Sequence, residues 1–362
     1  MALAHALRWL RAGRRAPQRV TVGTHPATLG RRRRGGLLYV TLATGVRVHL
    51  HRRRQDGLPW MGDPAFDRML VPEGPDPRSV RAILDAPVRE LAMTLMGVGV
   101  HRLGFGPRGL SFDLDLADLR PEPMADAVRD LVDTLPAASF DVNARLLRVA
   151  LEDPEVRVKS GAAEALLAGG EDVAPDAVRA LAESAAVRPW LRIDALWALE
   201  RWPRAAEVWR GLVRDPCSEV AVHALERIGE RRGEVARADV LAALDDPRDA
   251  VAAAAVRALG GLLTDEVEVR ARLDDGRTEV RRAAVEAAAA HAVTPETAQR
   301  LGELMRSDGG REFRRQVARA LERMRGRLPP SGALGLVPFE ASTGTLSLTA
   351  DIHDPGLKDT ES

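Results

Sequence analysis

One phrase of the sequence returns several times, and this repetition constrains the fold more than any other feature. Asp-Pro or Asp-Gly pairs begin at Asp153, Asp215, Asp246, Asp275 and Asp308. The intervals between them are 62, 31, 29 and 33 residues, so the first interval hides one repeat that lacks the pair. The stretch SAAVRPWLRIDALWALERW at 184–202 fills that place. A period near 31 residues is typical of stacked supersecondary units.

Each repeat is predicted to form two helices, because the Asp-Pro turn ends one helix and proline suits the first turn of the next. In the second helices, small and apolar residues fall into columns. One column reads Ala165, Ala198, Ala224, Ala258, Ala287 and Ala320, and the next reads Leu166, Leu199, Leu225, Leu259, Ala288 and Leu321. A single two-helix unit cannot bury its apolar face, so we expect six repeats over 136–328 to stack into an α-solenoid.

The turn Leu-x-Asp-Pro, the Val-Arg after it and the Ala-Leu pair resemble HEAT repeats, in particular the short HEAT-like type named after phycobilisome lyases. The resemblance covers about 136–328 and implies an α-solenoid that serves as a scaffold or binding module. Lyase activity does not follow from it. HEAT-like iron hydroxylases carry repeated His-Glu pairs as metal ligands, and no adjacent His-Glu occurs in this sequence.

A different column of the second helices contains no aliphatic residue and must point away from the core. It reads Glu164, Trp197, His223, Arg257, Glu286 and Arg319, with Arg201 and Arg227 four residues beyond two of its members. Residues four apart share a helix face, and in HEAT arrays the second helices usually line the concave side. Exposed Trp and Arg are enriched at binding hot spots. The predicted partner-binding residues are therefore Trp197, Arg201, His223, Arg227, Arg257 and Arg319, and the alternative is an ordinary solvated face.

Other positions in the repeats are interpreted as structural. The bases in the column Lys159, Arg192, Ser218, Ala252, Arg281 and Arg314 are predicted to bond to the turn aspartates as a ladder. Cys217 occupies an apolar column and is predicted to be a buried small hydrophobe. Trp190, Trp202 and Trp209 are predicted to pack between repeats.

Residues 16–135 are predicted to form an α+β domain with an antiparallel sheet. The stretch LLYVTLATGVRVHLH alternates around Thr44-Gly45 and predicts one hairpin; GVHRLGFGPRGLSFDLDL predicts a second, turning at 106–109. Helices are expected near 77–97, with a break around Pro87, and near 121–135. His49 and His51 face one side of a strand. A metal pair would need a third ligand that is not nearby, so they are interpreted as solvated strand residues.

The segments GDPAFDRMLV and DPRSVRAILDAPVRELAMTL resemble a bacterial module of uncharacterised function, in which a Phe-Asp or Phe-Asn pair precedes a strand and a helix with a proline break. The resemblance covers about 62–116. No activity is known for the module, so the resemblance implies none for this chain.

The net charge of +1 hides an asymmetry. Residues 1–55 contain thirteen Arg and no Asp or Glu, which leaves 40 basic and 52 acidic residues in the rest. Residues 1–15 are predicted to form a basic amphipathic helix, which could dock on a membrane surface or on the chain's own domain. The runs 31–34 and 52–54 are either phosphate-binding or simply solubilising. No apolar run approaches the length of a membrane-spanning helix.

Beyond Pro329-Pro330 the helical pattern stops, and residues 329–362 are predicted to be a flexible tail. Its phrases GALGL and GTLSL are candidates for strands that add to a sheet edge.

The function predicted from the sequence is an interaction scaffold that holds an acidic protein partner in the solenoid groove. The alternative is a nucleic-acid-binding protein that uses the Arg-rich head and the Trp/Arg face, as HEAT-like DNA glycosylases do. No catalytic constellation was found, so we expect no enzymatic activity, no cofactor and no metal. The single Cys217 excludes a disulfide framework and favours the cytoplasm.

Overall fold

The chain divides into two compact units, Met1–Trp202 and Pro203–Ser362. The computed structural model describes residues 2–13, 17–32, 35–42, 44, 46–52, 60–135, 140–231, 237–262, 266–291, 294–307, 310–325, 327, 336–337 and 347–348. Within these ranges, no helix combines the length and the apolar character that a bilayer crossing requires.

The first unit contains a seven-stranded sheet in which all neighbouring strands run antiparallel. Its strands are β1 (Gln18–Val22), β2 (His25–Arg32), β3 (Gly35–Val40), β4 (Val48–Arg52), β5 (Leu70–Glu73), β6 (Val100–Gly106) and β7 (Gly109–Leu114). They lie in the order β1-β2-β3-β7-β6-β4-β5. In β4, Val48 and Leu50 are buried while His49 and His51 are half-buried. The alternation gives the sheet one core face and one polar face.

Five helices belong to the same part of the first unit: α1 (Leu3–Arg11), α2 (Pro64–Met69), α3 (Pro77–Ile83), α4 (Ala86–Gly97) and α5 (Pro121–Thr134). The predicted helices near 77–97, broken around Pro87, and near 121–135 are confirmed. Helix α1 packs against α5, β1 and β2, and its Leu3, Leu7 and Leu10 are buried there. The apolar face of α1 is thus occupied within the chain, which corrects the alternative that residues 1–15 dock on a membrane.

The two predicted hairpins have different outcomes. The β6–β7 hairpin is confirmed, with Gly106 paired to Gly109. The hairpin around Thr44-Gly45 is wrong, because β7 and β6 lie between β3 and β4 in the sheet; Gly45 itself is outside the described residues. Alternation identified both strands correctly, but it carries no information about which strand each one pairs with.

Six two-helix repeats follow the sheet. The first unit contains α6 (Val142–Glu152) with α7 (Val156–Leu167), and α8 (Pro175–Glu183) with α9 (Pro189–Ala198). The second unit contains α10 (Ala205–Leu212) with α11 (Ser218–Arg231), α12 (Arg237–Ala243) with α13 (Asp249–Leu262), α14 (Glu266–Ala271) with α15 (Thr278–His291), and α16 (Pro295–Ser307) with α17 (Arg311–Arg325).

In the second unit each second helix contacts the next, α11 with α13, α13 with α15 and α15 with α17, as in an α-solenoid. Every member of the column from Leu166 to Leu321 is buried. The predicted fold class is therefore confirmed: the chain is mainly helical, with an antiparallel sheet in its N-terminal part and HEAT-like helical repeats after it. The predicted boundary between 135 and 136 adjoins residues 136–139, which lie outside the described ranges, and it stays a prediction.

Two short strands of the tail are described, β8 (Leu336–Val337) and β9 (Ser347–Leu348), and they pair antiparallel with each other. The two phrases expected to add to another sheet edge therefore supply each other's partner. The flexibility predicted for 329–362 stays a prediction.

A buried arginine joins the sheet-bearing part of the first unit to its first repeat. Arg89 in α4 is 1% exposed. Its Nε donates to Asp63 at 2.8 Å, and Nη1 and Nη2 donate to the two oxygens of Asp153 at 2.8 and 3.0 Å. Burial opposes the charge of Arg89, but these hydrogen bonds outweigh it and raise the pKa. The turn aspartate of the first repeat thus neutralises a cation from the sheet module.

The same carboxylates also begin helices. Asp63 accepts the N–H groups of Ala65 and Phe66 at the start of α2, while Asp153 accepts that of Glu155 just before α7. Burial alone would raise the pKa of Asp63, but the bonds from Phe66 and Arg89 lower it overall. The segment GDPAFDRMLV therefore positions the first repeat rather than forming a separate site.

A second buried carboxylate, Asp85, strengthens this junction. It accepts the N–H of Val88 at the start of α4 and forms ion pairs with Arg145 and Arg148 of α6. The Arg145 pair measures 2.8 Å, and both of its side chains are largely buried. Helix α6 is therefore held by charged bonds as well as by apolar packing.

We predict that Asp153→Ala destabilises the first unit by about 3–5 kcal/mol, because it leaves the buried guanidinium of Arg89 without its bidentate partner. Denaturant unfolding measures the loss. Asp126→Ala is the matched control, since Asp126 pairs with Arg129 at 3.2 Å on the surface of α5, and exposed pairs contribute at most about 1 kcal/mol. Equal losses in the two variants would contradict the role given to Arg89.

The predicted ladder of bases and turn aspartates exists in the second unit, but other residues form it. Arg248 bonds to both oxygens of Asp246 at 2.9 and 2.8 Å and donates to the carbonyl of Asp215 at 2.7 Å. Arg277 repeats this arrangement in the next repeat, where it bonds to Asp275 and to the carbonyl of Asp246. The turns at Asp246 and Asp275 are thus each bonded to the turn of the preceding repeat.

These bases stand two residues after the turn aspartate, not in the column that was predicted. Of that column, Arg281 does reach a turn, but it donates to the carbonyls of Asp275 and Gly276. Cys217 occupies the ladder position after Asp215 and is half-buried, not buried as predicted. A thiol cannot supply the guanidinium fork, so the side chain that contacts this turn is Arg248 of the next repeat, which reaches back as Arg277 does to the Asp246 turn.

The ladder predicts a pH-dependent stability. The hydrogen bond from Arg277 is the largest cause that lowers the pKa of Asp275. A carboxylate with a lowered pKa stabilises the fold above its unfolded-state value of about 3.9, and this contribution is lost as pH falls through the folded value. We expect Arg277→Gln to cost about 1–2 kcal/mol at pH 7 and progressively less below about pH 4.

Thermal unfolding of Arg277→Gln and of the wild type across pH 2 to 7 measures this effect. Arg282→Gln is the control, because Arg282 lies 3.7 Å from a highly exposed Glu312 and should matter little at any pH. A deficit of Arg277→Gln that stays constant down to about pH 2 would contradict the ladder's contribution.

Candidate protein-binding site

Two tryptophans lie exposed on one side of α9. Trp190 is 44% exposed and Trp197 is 46% exposed, and they are the two exposed members of the six Trp in the chain. A spacing of seven residues places them on the same side of the helix, two turns apart. Asp194, also exposed, and the half-buried Ile193 lie between them. This surface, formed by Trp190, Ile193, Asp194 and Trp197, is called the α9 face below.

The opposite side of α9 fixes the orientation of this face. Leu191, Ala195 and Leu196 are buried there. Arg192, in the predicted ladder column, is 3% exposed, and its Nε donates to the carbonyl of Ala182 at 2.8 Å. The α9 face therefore points outward because the rest of the helix is occupied.

Two of the six predicted partner-binding residues, Trp197 and Arg201, lie in the first unit. Trp197 is exposed, as expected. Arg201 is also exposed, but α9 ends at Ala198 and Arg201 lies in a short 3₁₀ helix, Leu199–Arg201. The two residues are therefore not one turn apart on a continuous α-helix, which was the basis for grouping them.

The packing role predicted for three other tryptophans also needs correction. Trp209 in α10 is buried, with the guanidinium of Arg231 4.8 Å from its ring centre. Trp202 is half-buried. Trp190, in contrast, belongs to the exposed α9 face. The spacing of seven residues between Trp190 and Trp197 is the sequence signal that places both on one side of the helix.

Two candidates on α11 are less available than expected. Arg227 is buried, and its Nη1 forms an ion pair with Glu230 at 2.8 Å. Nδ1 of His223 lies 3.2 Å from a carboxylate oxygen of Glu226, and the ring is about one third exposed. Arg227 is thus corrected from a partner contact to a bonded residue of the second unit.

The remaining two candidates, Arg257 and Arg319, are exposed on α13 and α17. Over the described residues 251–260, Arg257 is the one exposed side chain. Glu286 holds the same column on α15 and accepts a hydrogen bond from Gln316 at 3.0 Å. The stripe in the second unit therefore alternates in charge and is not uniformly basic.

Several arginines of the basic head are bonded within the first unit. Arg8 pairs with Glu122 at 2.6 Å, Arg32 pairs with Asp113 at 3.0 Å, and Arg52 donates to the carbonyl of Met96. Residues 33–34 and 53–54 lie outside the described ranges. These bonded arginines of residues 1–55 are less available to bind phosphate than the composition suggests. No observation favours the nucleic-acid alternative.

The histidines of β4 have separate environments. Nε2 of His51 lies 2.9 Å from Glu73 on β5, whereas His49 faces a shallow pocket of the sheet. Across the described ranges, no group of three or more His, Cys, Asp or Glu is arranged to hold a metal ion.

No protein-family model matches the chain, and no curated protein matches it. Similar solved structures include the complex of CpcE and CpcF of phycocyanin lyase from Nostoc sp. PCC7120, at 19% identity over 51% of this chain and 78% of that one, with a TM-score of 0.33. An engineered protein is 19% identical over 56% of this chain and 84% of its own, with a TM-score of 0.27. The likeness concerns the fold alone.

One prediction is overturned by this finding. The sequence led us to expect that the chain is not an enzyme, yet a lyase is among the structures that it resembles. Helical repeats of this kind therefore do not argue against enzymatic activity, and the prediction is withdrawn. No comparison supports the resemblance of residues 62–116 to a bacterial module, and it stays a prediction.

Proposed function

We propose that the helical repeats bind a protein partner and that the α9 face is a principal contact. The observation that carries this proposal is the pair of exposed tryptophans, Trp190 and Trp197, on one side of a ten-residue helix. Tryptophan has a large apolar area whose removal from water is favourable, and it is enriched among residues that dominate binding energy. Ile193 extends the apolar area between them.

The partner that we propose is acidic, as the sequence first suggested. Arg201 is exposed close to the α9 face in sequence, and Arg257 and Arg319 are exposed on repeats of the second unit. A guanidinium offers a planar fork that holds a carboxylate by two hydrogen bonds. We further propose that the second helices line the concave groove of the array, as the HEAT resemblance implies, and that binding takes place in the cytoplasm.

The test begins with affinity purification from the native source. Wild-type protein should recover a protein in stoichiometric amount, and Trp190→Ala/Trp197→Ala should lose it. Val156→Ala is a matched control, because Val156 is also an exposed apolar residue, 53% exposed, but lies on α7. It should recover the partner as the wild type does. No stoichiometric protein across several conditions, or equal recovery by the double variant, would reject the proposal.

Trp197→Ala separates binding from stability. Truncation should weaken partner binding by on the order of 2 kcal/mol, the usual scale for a hot-spot residue, and should change the melting temperature little because the side chain is exposed. Trp209→Ala is the contrasting variant: Trp209 is buried, so its loss should cost about 3–5 kcal/mol of stability. A melting temperature of Trp197→Ala as low as that of Trp209→Ala would show that Trp197 is part of the core.

A further inference from the structure

The polar face of the sheet contains a row of residues across four neighbouring strands. His49 on β4 is directly opposite Gly104 on β6, Gly104 is opposite Ser111 on β7, and Ser111 is opposite Tyr39 on β3. Directly opposite residues of antiparallel strands point to the same face. The side chains of His49, Ser111 and Tyr39 therefore surround a gap at Gly104, which has no side chain to fill it.

This gap belongs to a pocket of about 450 Å³, a volume typical of small-molecule sites. Arg47 and Arg108 line it together with the row. A Cβ atom placed on Gly104 would lie 2.5 Å from Ser111 Oγ and 2.9 Å from His49 Nδ1, both closer than atoms normally approach. The missing side chain at Gly104 thus keeps these two polar groups exposed to one common space.

A second glycine opens the side of the pocket next to Tyr39. A Cβ atom on Gly109 would lie 2.7 Å from the Tyr39 hydroxyl and 2.3 Å from the carbonyl of Val40. The ring of Tyr39 therefore lies over Gly109 at the end of the β6–β7 hairpin. That hairpin turns through Pro107 and Arg108, which places Arg108 at its tip.

The polar side chains of the pocket are unused within the described part of the chain. Tyr39, Arg47, His49, Arg108 and Ser111 have no side-chain hydrogen bond or ion pair there. The two carboxylates nearest the row are engaged elsewhere, Asp113 by Arg32 at 3.0 Å and Glu73 by His51 at 2.9 Å. Five unused donors thus face one space, without a free carboxylate to neutralise the two guanidinium groups.

The pKa of His49 reflects burial and positive charge at the pocket. Burial lowers its pKa, and the positive charge of Arg102 on the neighbouring strand lowers it further. A lowered pKa leaves the imidazole neutral at pH 7, where it can still donate one N–H. The positive charge at the pocket therefore comes from its arginines.

We propose that this pocket binds the phosphate group of a small phosphate ester. A tetrahedral phosphate presents oxygens in several directions, and donors from three strands and a hairpin tip surround the pocket. A carboxylate has two oxygens in one plane and would leave more of these donors unused. Guanidinium forks at Arg47 and Arg108 suit phosphate oxygens, and the Tyr39 ring offers an apolar surface beside the ester group.

Calorimetric titration with inorganic phosphate and with phenyl phosphate, at constant ionic strength, tests the proposal. Both should bind saturably, phenyl phosphate more tightly because its ring can contact Tyr39, and acetate should bind at least about tenfold more weakly. Nuclear magnetic resonance locates the site: of the eight His in the chain, His49 should show the largest ring shift on adding phosphate.

Two variants address the site directly. Arg47→Gln should weaken phosphate binding by about tenfold or more, since hydrogen bonds to a charged group are lost. Gly104→Ala should do the same by filling the gap beside Ser111 and His49. Arg129→Gln is the control: Arg129 is exposed on α5, a helix that packs with α1 and α4 and contributes no residue to the pocket.

The proposal stands if Arg47→Gln and Gly104→Ala lose affinity while Arg129→Gln keeps it. It is overturned if the wild type shows no saturable binding of either phosphate, or if all three variants bind as the wild type does. It is also overturned if acetate binds as well as phosphate. Circular dichroism of each variant confirms that the fold is kept, so a loss of binding can be assigned to the pocket.

Discussion

The first unit depends on one buried cation. Arg89 has its guanidinium removed from water, a cost that folding must offset with hydrogen bonds from nearly every donor it carries. Asp63 supplies one partner from the start of α2, the carbonyl of Leu84 supplies another, and Asp153 supplies two from the first repeat. The sheet module and the first repeat each supply only some of the hydrogen bonds to Arg89, so neither part alone would satisfy its guanidinium.

The first two repeats belong to the same compact unit as the sheet, and the other four belong to the second unit. The bonds around Arg89 explain why the first repeat stays with the sheet. Helix α6 adds Arg145 and Arg148 around Asp85, and α3 packs against both α6 and α7. Within the second unit, the described turns at Asp246 and Asp275 are bonded by Arg248 and Arg277 to the turn before each. The chain thus has two kinds of charged contact: the single cluster around Arg89 in the first unit, and the arginine–turn contact that recurs in the second unit.

The two surfaces proposed for function lie outside these charged contacts. On the α9 face, aromatic groups remain in water although the opposite side of the helix is fully packed. In the sheet pocket, polar donors remain without partners although neighbouring carboxylates are satisfied. In the turns of the second unit, by contrast, Arg248 and Arg277 bond to carboxylates at short range.

Periodicity predicted the repeats well, because each helix pair must bury the same columns, from Leu166 to Leu321, whatever lies around it. Alternation likewise identified β3, β4, β6 and β7. It could not identify strand partners, since the insertion of β6 and β7 between β3 and β4 depends on the whole sheet. The Arg89–Asp153 contact was also invisible, because 64 residues separate the two and neither has an unusual local context. Arg227 was predicted to be exposed because it lies four residues beyond His223, as Arg201 does beyond Trp197, but it is buried and paired with Glu230.

The turns of the second unit have a further consequence for how such an array can change in length. Arg248 and Arg277 each bond to their own turn aspartate and to a carbonyl of the preceding turn, so the same bond pattern occurs in two successive repeats. A duplication of the 29 residues from Asp246 to Asp275 would give the new arginine a carbonyl of the same kind to bind. The array can therefore grow by copying in its second unit, whereas the repeat that contains Asp153 is fixed in number by its single arginine.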